Sequence, residues 1–542
     1  MSEKVTVTVN EGKIRGLKTK TAYSGTEYYS FLGVPYGQSP AGVGRFKDPV
    51  KVKPWNSILD ATVAKEGCYQ FSLMKKCIVG SEDCLYNNIY TPKLPSEGDS
   101  LKAVIVSIHP GGMFHGSPDP DYYGSPEYIM HRDIVYVCMG YRLHILGLLN
   151  LNTKNCTGNQ AIKDIILSLK WIKENIHVFG GDPENITLMG SSSGSAYVHL
   201  LLLSPLAKGL FHKAILAGMY ILNPLLIHSQ DYILTAYELA KDMGYNGELG
   251  ENKKLLNFYR KLDFIRFITA RSEKYLSQST LRAFPASPYI PTVDPTENSP
   301  IPISPDKLAP STNRVPIIIG FCEKEAAMGV AFFPSNQSIA DVFHTAISQN
   351  CWGWGADLNT DEQKQIQKEV EDFYLGGQSI ETASKPLLCD IITDAGLSDV
   401  YDSLINVISE DVSSPVYVYN FHYDGKLDWG KKMIKESSKL EMQGASHAAD
   451  FGYWCYMEMV AGKQMTQINP NDREMIETYV NLMTTFAKTS NPNYKGIGVN
   501  WKPSNPKNPS HLIINEQLKV ENELLNGARM EFWHKLKRKF KK

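Results

Sequence analysis

The chain has 542 residues, 43% apolar and 21% charged, with a formal net charge of −1. That composition supplies a large core and no bulk attraction to polyanions, which argues against nucleic-acid binding. No segment is long and apolar enough to cross a bilayer, and the alternating start, Met1 to Val9, lacks the continuous hydrophobic run of a signal peptide, so a cytoplasmic protein is expected.

The alternation over Lys4 to Val9, a turn at Asn10-Glu11-Gly12 and the segment Lys13 to Gly16 predict an N-terminal β-hairpin. From about residue 100 the rhythm changes: Val104 to Ile108 and Ile134 to Cys138 are short apolar runs suited to buried strands. Lys163 to Asn175 has helical spacing, with Ile165, Ile166, Leu169 and Ile172 on one face. Ile186 to Leu188 reads as a strand and Ala196 to Leu202 as an apolar helix. Val315 to Gly320 and Val416 to Phe421 add strands after a more helical, irregular middle. Strands alternating with helices predict an α/β fold with a mostly parallel central sheet flanked by helices. With no linker, repeat or charge block to divide it, residues 1–542 are expected to be one domain with long helical insertions. The basic end, Phe532 to Lys542, fits a terminal helix whose cations complement its dipole better than a membrane anchor.

Nine cysteines are scattered without metal-ligand spacing, and most are expected to be small buried residues. Cys68 and Cys84 suit a loop-closing bridge in an oxidising compartment, which a reducing cytosol would oppose. The acceptor patterns at Asn155, Asn185 and Asn336 matter only in a secreted chain and are discounted.

Between the strand at Ile186 and the helix at Ala196 stands Gly190-Ser191-Ser192-Ser193-Gly194, the Gly-x-Ser-x-Gly pattern of a nucleophilic serine on a tight strand-to-helix turn. A serine hydroxyl needs a base, an acid to orient the base and donors for the oxyanion. In α/β-hydrolases the order is serine, acid, histidine. His447, in the small-residue loop Gly444 to Asp450, fits the base, whereas His422 continues a strand; Glu325 and Glu323 both follow the strand at Ile317 to Ile319. His109-Pro110-Gly111-Gly112 follows the strand at Val104 to Ile108, so Gly111 and Gly112 are candidate oxyanion donors together with the amide of Ser193.

With these parts placed, the chain resembles the type-B carboxylesterase family, which includes the cholinesterases, and among its branches the cytosolic insect esterases of the α-esterase kind. Phe31-Leu32-Gly33-Val34-Pro35-Tyr36 with Arg45-Phe46 is similar to the N-terminal signature, and Gly80-Ser81-Glu82-Asp83-Cys84-Leu85-Tyr86 to the second. Tyr141-Arg142-Leu143, Phe179 to Thr187 and Phe486 to Pro492 resemble further blocks in family order. The resemblance implies an α/β-hydrolase fold, Ser192 as nucleophile, Glu325 rather than Glu323 as the acid, and His447 as the general base. It implies no cofactor and no metal, small-molecule apolar esters as substrates, and organophosphates as covalent inhibitors, with xenobiotic detoxification as one role.

Several positions depart from the family pattern. Ser191 replaces a glutamate beside the nucleophile, Pro110 replaces the first glycine of the oxyanion loop and has no N–H, Gly218-Met219 stands for Ser-Gly behind the triad, and Ala448 follows His447 in place of glycine. Leu225 stands where close relatives often carry tryptophan in the acyl pocket, which implies tolerance of bulkier acyl groups. These changes suggest a slow esterase or, alternatively, a protein that sequesters esters or organophosphates. A non-catalytic adhesion role fits the intact set of triad residues less well.

Overall fold

The apolar runs pair side by side as parallel strands. In the computed structural model Val135–Met139, Lys102–Ile108, Gly181–Ser191, Lys213–Ala217, Ile317–Cys322, Val416–Phe421 and His511–Ile514 lie in that order, each parallel to its neighbour. Antiparallel strands extend both edges: Tyr86–Thr91, Glu27–Pro35, Gly12–Lys20 and Glu3–Val9 on one side, Lys519–Glu521 on the other. Residues 3–540 are described apart from 73–74, 76, 222–231, 264, 268–289, 297, 309–312, 332–337, 345–359, 409–413, 439–440 and 463–464.

Side-chain alternation gives this sheet two buried faces. Val104, Val106 and Ile108 point into a core shared with Ile162, Ile165 and Leu169 of the helix Gln160–Asn175 and with Leu200 of the helix Ser193–Leu203. Ile105, Met189 and Ile215 point into a second core shared with Met475, Tyr479 and Met483 of the helix Pro470–Thr489. The expected hairpin is Glu3–Val9 with Gly12–Lys20. One expected boundary is corrected: the strand read over Val315 to Gly320 spans Ile317–Cys322 instead, because Phe321 and Cys322 pair with Asn420 and Phe421.

The two N-terminal signatures meet in space, since the Arg45 guanidinium pairs with the Glu82 carboxylate. Cys68 and Cys84 form a disulfide beside them. Cys138, Cys156, Cys322, Cys389 and Cys455 are buried thiols as expected, while Cys77 is exposed and Cys351 lies outside the described residues. The C-terminal helix, Gly527–Phe540, buries Met530, Trp533, Leu536 and Phe540 against the protein, so its apolar face is occupied. Among the described residues no helix is long and apolar enough to cross a membrane.

Candidate active site

The residues singled out for chemistry stand beyond the carboxyl ends of the parallel strands. Gly190 is level with Ile108, Ser191 with Ala217, and Ala217 with Gly320, so the loops that follow these strands open on one edge of the sheet. This is where open α/β sheets bind ligands.

Ser192 sits between the strand Gly181–Ser191 and the helix Ser193–Leu203 with φ 52° and ψ −126°. A non-glycine residue in such a conformation costs about 1–3 kcal/mol and persists only where its surroundings hold it. Here the Ser192 amide donates to the Ala217 carbonyl at 2.8 Å and its carbonyl accepts from the Ala196 amide at 3.1 Å. The glycines at 190 and 194 are there for space. A Cβ on Gly190 would overlap the backbone of Gly194, and one on Gly194 would overlap the Ile108 carbonyl.

His447 joins the other two groups. Its Nε2 lies 2.8 Å from Ser192 Oγ and its Nδ1 2.5 Å from Glu325 Oε2. The other carboxylate oxygen, Glu325 Oε1, accepts from the Cys322 amide at 2.8 Å, which fixes the acid to the strand end. Glu323 pairs with Lys324 instead and packs beside Gly444, so Glu325 is the acid that meets the imidazole. Burial pushes the imidazole down, but Glu325, followed by Asp450 and Asp428, reverses this and holds His447 above its usual value. A histidine so placed can take the serine proton, and the carboxylate stabilises the imidazolium that results.

Gly111 and Gly112 have φ of 132° and 61°, and a Cβ on Gly111 would overlap the His115 carbonyl. Among the described residues no hydrogen bond within the protein takes up either amide. Ser193 opens a helix, so its N–H is one of the first-turn donors without an intrahelical acceptor. Pro110 has no N–H, yet its carbonyl is used, lying 2.9 Å from His109 Nδ1. Tyr141 donates to the His109 carbonyl at 2.9 Å, and the Gln70 side chain donates to and accepts from Gly116 at 2.7 Å each. These bonds fix the glycine loop from outside.

The departures have structural consequences. Ser191 is buried and its hydroxyl has no hydrogen-bond partner among the described residues; the same holds for the Ser193 hydroxyl. A Cβ on Gly218, which has φ 82°, would stand 3.2 Å from His447 Cε1 and 3.4 Å from Glu325 Oε1. The residue thus lies against the triad contact. Ala448 takes φ 60°, the left-handed region that favours glycine. Leu225 lies outside the described residues.

Two buried acids flank the histidine loop. Asp450 accepts from the hydroxyls of Tyr419 and Tyr479, and burial pushes its carboxyl up to about 6. Asp428 accepts from the Ser446 amide and hydroxyl, and burial pushes it up as well, against the opposing effect of those bonds. From the sequence Asp450 stood out only as the end of the histidine loop and Asp428 not at all; its place before the amphipathic helix Trp429–Ser438 marks a cap, but nothing local foretells the contact with Ser446. Among the described residues no group of three or more His, Cys, Asp or Glu could hold a metal ion.

Residues 3–533 match the carboxylesterase family. Esterase FE4 of Myzus persicae is 32% identical over 527 residues, spanning 94% of this chain and 88% of the relative. Juvenile hormone esterase of Tribolium castaneum is 32% identical over 510 residues, spanning 90% and 84%. The crystal structure of juvenile hormone esterase from Manduca sexta, with OTFP covalently attached, superposes with a TM-score of 0.82 at 26% identity and covers 99% of this chain and all of that one. The fold is that of the α/β-hydrolase esterases.

Proposed function

This chain belongs to the carboxylesterase family and is a carboxylic ester hydrolase, and from that premise we propose that it works through an acyl-enzyme on Ser192. The observation that carries the proposal is the single imidazole of His447, 2.8 Å from the Ser192 hydroxyl and 2.5 Å from Glu325. His447 Nε2 takes the hydroxyl proton as Ser192 Oγ bonds to the ester carbonyl carbon, and the carbonyl electrons move onto oxygen. The amides of Gly111, Gly112 and Ser193 receive that oxyanion. Collapse breaks the carbon–alkoxide bond as His447 returns the proton to the leaving alcohol. Water then repeats the sequence on the acyl group, and the acid and free Ser192 are released. In the Manduca sexta relative OTFP is covalently attached, consistent with a nucleophile in this fold.

The substrates we propose are apolar esters, xenobiotic, lipid-derived or volatile, with organophosphates phosphorylating Ser192. We place residues 1–542, acting as one domain, in the cytosol, where the Cys68–Cys84 bridge of the structure would be open to reduction. A bridged Cys68–Cys84 pair in protein taken from thiol-blocked cells would argue for an oxidising compartment instead. A second reading, slow release amounting to sequestration, is favoured by the neutral Ser191 and the φ of 60° at Ala448.

Pre-steady-state hydrolysis of a chromogenic ester separates these. Sustained turnover that disappears in Ser192→Ala supports the enzyme, and a stoichiometric burst with almost nothing after it supports sequestration. Hydrolysis that survives Ser192→Ala contradicts both.

A further inference from the structure

Asp428 does more than a helix cap requires. It precedes the helix Trp429–Ser438, and its Oδ1 accepts from the Lys431 amide at 2.9 Å, the bond expected of an N-cap aspartate. The same oxygen also accepts from the Ser446 hydroxyl at 2.5 Å, and Oδ2 accepts from the Ser446 amide at 2.8 Å. Asp428 is 3% exposed, so these three donors stand in for water. Gly430 completes the arrangement: a Cβ there would overlap Ser446 Oγ and come within 3.1 Å of the His447 carbonyl. The first turn of the helix thus lies directly against the two residues Ser446 and His447.

Resting on the triad reading above, we infer that Asp428 is a positioning residue for His447: it clamps Ser446 at both amide and hydroxyl, so that the next residue presents its imidazole between Glu325 and Ser192. The loop needs such a clamp because it is otherwise strained. Ala448, on the other side of the histidine, holds φ 60° with a Cβ in place. A small rotation there would swing the imidazole off one of its partners, and misplacement by about 1 Å costs about a hundredfold in rate. The fixed anion also acts on the imidazolium, along with the other groups that face it. These are Glu325 from the strand end and Asp450 from the turn that follows. Asp450 is held by Tyr419 and Tyr479 and meets the Cys322 thiol, and Lys431 is the cation that faces Asp428.

The test uses the full chain with Asp428→Ala, Asp428→Asn and Ser446→Ala, each rate expressed per site reactive toward a fluorophosphonate so that unfolded molecules do not count. Asp428→Ala is expected to lower the acylation rate per reactive site about ten- to a hundredfold while KM moves less than about threefold. The acid limb of its kcat/KM profile should shift to lower pH, because an anion that favours the imidazolium is gone. Asp428→Asn keeps an acceptor for the Ser446 amide, so it should recover much of the rate but not the acid limb. Ser446→Ala should lose less, in the same direction. Wild-type acylation per reactive site with an unmoved acid limb, whatever happens to Tm, would reduce Asp428 to a helix cap and overturn the inference. Ser192→Ala run alongside keeps the two claims apart, since hydrolysis surviving in that variant contradicts the triad reading and not the clamp.

Discussion

A serine at 191 puts a neutral, buried hydroxyl, without a hydrogen-bond partner among the described residues, next to the nucleophile, where the family resemblance implies a carboxylate. The imidazolium then has Glu325, Asp450 and Asp428 as its anions. Ser191→Glu is expected to move the acid limb of kcat/KM upward by about one pH unit, as a nearby anion favours the charged histidine. Turnover should rise about tenfold, equivalent to about 1.4 kcal/mol. Unchanged kinetics in a folded variant would show that Ser191 does not limit the rate. Asp450 gives a stability counterpart. Its carboxyl titrates near 6 when folded against an ordinary 3.8, so the folded state holds the extra proton between those values. Its contribution is therefore greatest below about pH 4 and declines as pH rises to about 6. Denaturant titrations of Asp450→Asn should show the variant gaining on the wild type as pH rises from about 4 to about 6; a constant difference over that range would contradict the assignment. Ser192 was legible in the sequence because its pattern is local. Tyr419 and Tyr479, which hold Asp450, were not, because they come from a strand and a helix far apart in the chain.

The strand-turn-helix around Ser192 explains why both glycines are required. Gly194→Ala would drive a Cβ into the Ile108 carbonyl of the neighbouring strand, a backbone atom that cannot rotate away. The expected cost is about 3 kcal/mol or more, with loss of labelling at Ser192, read by denaturation and fluorophosphonate uptake. Ala448→Gly should do the reverse, stabilising by about 0.5–1 kcal/mol in the same denaturation through relief of a left-handed alanine. The strands and helices here follow from apolar spacing, as Val104 to Ile108 and Ile165 to Ile172 illustrate. The end of the strand Ile317–Cys322 did not follow, because the apolar run is broken by Gly320 and only pairing with Asn420 and Phe421 carries it further.

Across the whole molecule the sheet gathers loops that are far apart in sequence and gives them one edge. Ser192 and His447 are separated by 255 positions, and parallel pairing through Ala217, Gly320 and Tyr419 brings their elements together. Chain order and family resemblance made this legible; the alternation of strand and helix patterns alone would have stopped at an α/β protein. The disulfide is part of the same scaffold, because Gln70, two residues after Cys68, holds Gly116 in the glycine loop. Replacing Cys68 and Cys84 by serine should cost about 3 kcal/mol for a loop of this length. Reductant should lower the Tm of oxidised wild type and leave the double variant unmoved.

The central claim is a covalent acyl group on Ser192. Rapid acid quench during turnover of a slowly released ester, followed by peptide mass spectrometry, tests it most directly. The expected result is the acyl mass on the peptide containing Ser192, absent from Ser192→Ala and accumulating in a folded Ser191 wild-type background. An acyl mass on another residue, or full turnover with no adduct in a Ser192→Ala chain, would contradict it.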